Sequence, residues 1–144
     1  MYYADQKHLV KYGTPITGDC YVAMEFGPVP SEIYDIFKEV RDKFVNTFGY
    51  QKYISVENGF CVKALTVPDL DEFSESDVEC LDDSIKENKD LNFDELKVKS
   101  HDLAYKSACQ NKKISVEEMA KEGGANKEMI KYIRCMAENN SAFS

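Results

Sequence analysis

Pro28 and Pro30 stand two residues apart in the run Phe26-Gly27-Pro28-Val29-Pro30-Ser31. A proline pushes the residue before it out of the helical region. The chain is therefore extended here, between two stretches that read as helices. Upstream, Tyr2–Tyr12 predicts a helix closed by Gly13, because glycine takes the left-handed conformation that many helix ends need. Pro15 and Gly18-Asp19 mark a turn, and residues 20–26 read as a short extended segment. Downstream, Ser31 is placed as the N-cap of a second helix. There Ile33, Ile36, Phe37, Val40, Phe44 and Phe48 recur at helical spacing up to Gly49, which predicts a core-facing stripe.

The period then changes. Tyr53-Ile54-Ser55-Val56 and Phe60-Cys61-Val62-Lys63-Ala64-Leu65 flank Asn58-Gly59, the strongest short-range signal for a hairpin. Pro68-Asp69 turns the chain, and Ser74 or Ser76 caps a helix to about Lys89, with Ser76 and Glu79 spaced for a capping box. A short helix over Phe93–Ser100 and a segment over residues 101–109 follow. The sequence holds no repeat, no low-complexity tract and no linker long enough to divide domains. These elements predict a single α+β domain over residues 1–144, mostly helical, with a small antiparallel sheet that includes the Asn58-Gly59 hairpin.

A chain of 144 residues buries about two thirds of its unfolded surface, enough for one core. No apolar run approaches the roughly 20 residues that span a bilayer. The start, MYYADQKHLV, lacks the basic, apolar and small-residue zones of a signal peptide. Five cysteines form an odd set without a Cys-x-x-Cys pair, which argues against a zinc ribbon and a secreted disulfide framework. The expectation is a reduced, cytoplasmic protein. With 26 acidic and 18 basic residues the net charge is −8. Such a field repels nucleic-acid phosphates and suits a basic protein partner.

Few residues carry chemistry. Asp5 and His8 lie three apart on one helical face. With His101, the only other histidine, they could supply three metal ligands for a hydrolytic site, or His8 could serve as a general base. The competing reading, histidines bonded to backbone or carboxylate, outweighs it. Thr17-Gly18-Asp19 offers a hydroxyl and a carboxylate, but is also ordinary turn chemistry. Gly27-Pro28-Val29-Pro30 lacks the glycine spacing and the Lys or Ser of a phosphate loop or nucleophile elbow. Its stiff backbone is expected to orient Phe26 and the helix after Ser31. No serine is set in a nucleophile motif, so no catalytic residue, metal or cofactor is assigned and a non-enzymatic role is expected.

Residues 114–136 have helix-turn-helix spacing. Ala120 sits at a close packing point, Gly124 at the turn, Ile130 and Ile133 on the apolar face, and Lys127, Lys131 and Arg134 on the second helix. Glu117, Glu118, Glu122 and Glu128 leave the segment nearly neutral, and helix pairs with a Gly-Gly turn also arise from packing alone. DNA is the lesser reading. Tyr2, Tyr3, Tyr12, Tyr21, Phe26 and Tyr34 crowd the first 34 residues, as interface anchors, as core, or as both. Phe26 and Tyr34 are expected inside.

In order, the chain carries Tyr3-Ala4-Asp5 with His8 and Leu9, then Tyr12-Gly13, Pro15-Ile16-Thr17-Gly18-Asp19 and Tyr21-Val22-Ala23-Met24. Gly27-Pro28-Val29-Pro30 and Tyr34-Asp35 follow, then Ser74-Glu75-Ser76-Asp77-Val78, Phe93-Asp94-Glu95-Leu96 and Ser100-His101-Asp102. Over nearly its whole length this pattern resembles the Panacea domain, the SocA-like antitoxin family. Tyr105 departs from the family's usual tryptophan. The Tyr-Ala-Asp segment also starts at Met1, where relatives usually have a leading helix. Either the chain is a short variant or its start lies at an internal methionine. Without that helix some tyrosines lose their cover, and the patch invites a partner or a second copy in a homodimer.

The resemblance implies an antitoxin-like member of a toxin–antitoxin system, of a kind also found in prophages and mobile elements. Such a protein binds a cognate protein toxin encoded beside it, and neutralises it directly or delivers it for proteolysis. A protease or chaperone is then a further partner. The resemblance marks Tyr3, Asp5, His8, Tyr12, Thr17, Asp19, Tyr21, Gly27, Pro28, Pro30, Tyr34 and His101 as partner-binding or motif positions. A DNA-binding regulator using residues 114–136, and a metal-dependent hydrolase using Asp5, His8 and His101, are the alternatives.

Overall fold

Helix α1, Tyr2–Tyr12, ends where the sequence places its end: Gly13 takes φ 80° and its N–H closes on the Leu9 carbonyl at 3.0 Å. The computed structural model describes residues 1–42, 49–59 and 61–142. After α1 come β1 (Tyr21–Met24), β2 (Gly27–Pro30), α2 (Ser31–Arg41), β3 (Ile54–Glu57) and β4 (Cys61–Ala64). Five helices follow: α3 (Glu75–Asn88), α4 (Phe93–Ser100), α5 (Leu103–Ser107), α6 (Val116–Glu122) and α7 (Lys127–Ala142). The fold is α+β and mostly helical. Instead of one small sheet, the described residues hold two antiparallel pairs, β1–β2 and β3–β4.

The proline-rich run is itself a strand, which its composition conceals. Tyr21 pairs with Pro30, Ala23 with Pro28 and Met24 with Gly27, leaving Glu25-Phe26 as a two-residue loop. The Ala23 N–H donates to the Lys112 carbonyl at 2.9 Å, its carbonyl accepts from Asn111 at 2.7 Å, and Ile114 N–H donates to the Tyr21 carbonyl. The backbone of Ala23 and Tyr21 is thus turned away from β2. Pro28 and Pro30 lie opposite these two residues, at the alternate positions where no ladder N–H is required.

The β3–β4 hairpin forms as expected, with left-handed Asn58 (φ 50°) and Gly59 (φ 81°) at its turn. Phe60 lies outside the described residues, as do Phe44 and Phe48, so the predicted stripe is described only to Arg41. Within it Val40 is buried and Ile33, Ile36 and Phe37 are partly buried.

Two caps differ from expectation. Helix α3 opens at Ser74, and its capping box joins Ser74 to Asp77, not Ser76 to Glu79. Ser31 is the first helical residue of α2, not its cap. That helix end is served from a distance by Asp19, described below. Asn92 with Glu95 caps α4, and Asp102 caps α5.

Helices α1, α5, α6 and α7 meet strand β1 in one core, around Leu9, Tyr21, Ala104, Met119, Ala120 and Ile133. Helix α3 lies along α1, tied by Lys7–Glu87 at 2.6 Å and Lys11–Glu79 at 2.8 Å. Among the described residues no helix is long and apolar enough to cross a membrane.

Candidate partner-binding face

Five of the motif residues, Asp5, Thr17, Asp19, Tyr21 and Gly27, hold one hairpin and its flanks. Asp5, fully buried on α1, points its carboxylate at the loop that leads into β1. One oxygen accepts the N–H groups of Ile16 (2.7 Å) and Thr17 (3.0 Å), and the other accepts the hydroxyls of Thr17 (2.6 Å) and Tyr21 (2.7 Å). Burial, reinforced by the neighbouring carboxylate, pushes the Tyr21 phenol well above its ordinary value, so Tyr21 remains a donor.

Asp19 ends that loop and does for α2 what Ser31 was expected to do. Its carboxylate accepts from the N–H groups of Glu32 and Ile33, each at 3.1 Å, and from Ser31 Oγ and Cys20 N–H. Burial raises the Asp19 pKa, but these four donors outweigh it and hold the carboxyl below its usual value.

The far end of the hairpin is anchored by α4 and α5. Gly27 takes φ 136°, and a Cβ there would fall 2.7 Å from Ser100 Oγ. The Tyr105 hydroxyl donates to the Met24 carbonyl at 2.7 Å. Tyrosine in place of the tryptophan expected by resemblance keeps a polar donor on an aromatic body. The Tyr2 hydroxyl donates to Asp102 at 2.9 Å, so α1 also holds the start of α5.

The structure does not assemble the alternative metal site. His8 Nδ1 donates to the Thr14 carbonyl at 2.6 Å, and its Nε2 lies 3.3 Å from both Ser76 Oγ and Asp77 Oδ1. His101 Nδ1 donates to the Lys97 carbonyl at 2.5 Å, and its ring packs against Tyr105 at a tilt of 53°, with centroids 4.1 Å apart. Both Asp5 oxygens are taken up by the loop and by Tyr21 of β1. Among the described residues no group of three His, Cys, Asp or Glu could hold a metal. Both histidines fasten the chain locally, each through Nδ1 to a backbone carbonyl.

The aromatic residues divide. Tyr2 and Tyr21 are buried, whereas Tyr3 and Tyr34 are partly buried and Tyr12 is exposed. Among the described residues Tyr3 Oη is enclosed without a hydrogen-bond partner. Phe26 corrects the expectation of an inside position: it is 57% exposed at the hairpin tip. The two-residue loop puts it beyond the last ladder pair, and there it meets Phe93 on α4, itself 61% exposed, with centroids 5.9 Å apart. Lys97 Nζ sits 4.9 Å from the Phe26 ring centre. Phe93 and Lys97 carried no sequence signal for this role, because an exposed first-turn Phe reads like any capped helix start.

Helices α6 and α7 adopt the spacing read from residues 114–136, with Ala120 and Ile133 in the core. Among the described residues two of their four cations, Lys121 and Arg134, are engaged within the pair, and Lys127 and Lys131 are not. Arg134 grips Glu117 in a two-pronged contact at 2.6 and 3.0 Å, and Lys121 reaches Glu117 and Glu118. Arg134 and Lys121 bonds pull the Glu117 carboxyl down to about 2.

The family model described as "Antitoxin SocA-like, Panacea domain" matches residues 1–106. No curated protein and no solved structure matches the chain. The matched residues contain the hairpin, its anchors and the exposed aromatic pair, and they end before α6.

Proposed function

The chain belongs to the SocA-like Panacea antitoxin family, and from that premise we propose that it neutralises a cognate protein toxin by docking it around Phe26. The observation that carries this reading is the Phe26–Phe93 pair, two large apolar rings exposed side by side next to a lysine. Aromatic anchors of this kind supply most of the energy in protein interfaces. Asp5, Tyr21, Tyr105 and the Gly27–Ser100 contact hold the hairpin from behind. A tip fixed in advance loses little conformational freedom on binding. The role is recognition in the cytoplasm, without catalysis, and inhibition is direct. Delivery of the toxin to a protease would be a later step on the same complex.

The test is to express the adjacent gene product with and without this protein, scoring growth and co-purification. Rescue of growth with a stable complex is expected, and Phe26→Asp is expected to weaken that complex at least tenfold while Tyr12→Ala leaves it intact. A harmless neighbour that forms no complex would defeat the reading. A complex indifferent to Phe26→Asp would move the toxin to another face.

A further inference from the structure

We infer that β4 is an acceptor edge for an extended, basic segment of a partner protein, which adds as a third strand to the β3–β4 pair. Leu65 N–H donates to the Tyr53 carbonyl at 2.8 Å, and the register pairs Ser55 with Lys63 and Glu57 with Cys61. In an antiparallel ladder bonded and non-bonded pairs alternate, so Tyr53–Leu65, Ser55–Lys63 and Glu57–Cys61 are the bonded ones. Val62 and Ala64 therefore turn their N–H and C=O groups away from β3, onto the open side of the hairpin. Among the described residues those groups bond to nothing else.

All four residues of β4 are exposed, whereas β3 is partly covered and packs against α2. Edges are ordinarily blunted by proline, bulges or several charges. This one carries a single charge, Lys63, already bonded to Glu57 at 2.7 Å. Apolar residues continue past it: Leu65 is 55% exposed, Val67 90% and Leu70 60%. An open, unblunted edge beside apolar surface is what strand addition uses, with the backbone supplying affinity and side chains supplying choice.

Charge selects the occupant. Asp69, Asp71 and Glu72 follow the strand, and among the described residues none has an ion-pair partner. A second copy of this chain would bring the same acidic run and a net charge of −8 against itself. A strand alternating apolar and basic residues matches both the backbone and the field. The inference stands on the hairpin and does not depend on the antitoxin reading, so either can fail alone.

The probe is the peptide acetyl-Lys-Val-Lys-Val-Thr-Val-Lys-Val-amide, with a control carrying glutamate for each lysine, titrated into the full chain and followed by amide NMR. Binding of the basic peptide is expected to shift the Val62 and Ala64 amides and slow their exchange, with the acidic control at least tenfold weaker. Ala64→Pro removes one outward N–H and no bond to β3, and is expected to weaken binding at least tenfold. Asp69→Lys with Asp71→Lys, which leaves the backbone donors in place, is expected to weaken it severalfold and keeps the test alive should the proline variant misfold. No binding, equal binding of both peptides, or shifts confined to other strands would overturn the proposal. A concentration-dependent dimer in sedimentation that Ala64→Pro dissolves would overturn it in favour of a second copy.

Discussion

The phenol of Tyr21 on β1 donates to the carboxylate of Asp5 on α1 at 2.7 Å, with both residues inside the core. The same carboxylate takes two backbone N–H groups on its other oxygen. Hydroxyls accept as well as donate, but a backbone N–H only donates. Asp5→Asn, with its amide turned to the Thr17 and Tyr21 hydroxyls, keeps an acceptor for Ile16 and Thr17. Asp5→Ala leaves all four donors without their partner. The alanine variant is therefore expected to lose about 3 kcal/mol or more of stability, and the asparagine variant clearly less. Denaturant melts of the two variants beside the parent read the difference, and equal losses would show that the bonds to the backbone are not the ones that matter.

Neighbouring tyrosines are expected to respond oppositely to loss of the hydroxyl. Tyr3 Oη is enclosed without a partner, and burial, followed by the nearby Asp102 charge, pushes its pKa up to about 12. Tyr3→Phe removes an unsatisfied polar group and is expected to leave the melting temperature unchanged or raise it. Tyr2→Phe removes the donor to Asp102 and is expected to cost about 1 kcal/mol. A larger loss at Tyr3 than at Tyr2 would mean that the Tyr3 hydroxyl has a partner in solution.

What could be read from the sequence was what local chemistry decides. Gly13 ends α1, Asn58-Gly59 turns a hairpin and Phe93–Ser100 is helical because each answer lies within a few residues of the signal. Strand β2 was hidden, since the prolines that ordinarily forbid a strand sit where the partner's backbone already faces residues 111–114. Asp5 and Asp19 stand out as motif positions, but the donors they hold lie 11 to 16 and up to 14 residues away. No local pattern names such partners. Nothing local marks Phe26 as exposed, and only the two-residue loop with Phe93 opposite puts it on the surface.

The Asp19 cap carries a pH dependence with a definite sign. Its folded pKa lies below the ordinary carboxyl value because four donors outweigh the burial that would raise it. A carboxyl depressed in the folded state contributes stability that is complete above the unfolded value of about 4 and is lost as pH falls through the folded value. Asp19→Ala is expected to cost about 1–2 kcal/mol at neutral pH, in the range of a lost helix cap. The gap between parent and variant is then expected to close below pH 4, in melts followed by circular dichroism. A gap independent of pH would place the effect in packing instead.

Gly27 meets two separate constraints, and a double-mutant cycle can divide them. Its φ of 136° strains any residue with a Cβ, and that Cβ would also lie 2.7 Å from Ser100 Oγ but 3.6 Å from Ser100 Cβ. Ser100→Ala deletes the close atom, leaves an ordinary contact and gives up the weak bond of the Ser100 hydroxyl to the Lys97 carbonyl at 3.1 Å. Gly27→Ala alone is expected to cost about 2–4 kcal/mol, the sum of strained backbone and overlap. In the Ser100→Ala background the cost should fall to the backbone part, about 1–3 kcal/mol. A coupling energy near zero would mean that α4 simply retreats from the hairpin. That retreat would itself be legible in function, because Phe26 and Phe93 meet only while α4 stays against Gly27. The single variant should then weaken partner binding more than its stability loss explains, and the double variant should recover part of it.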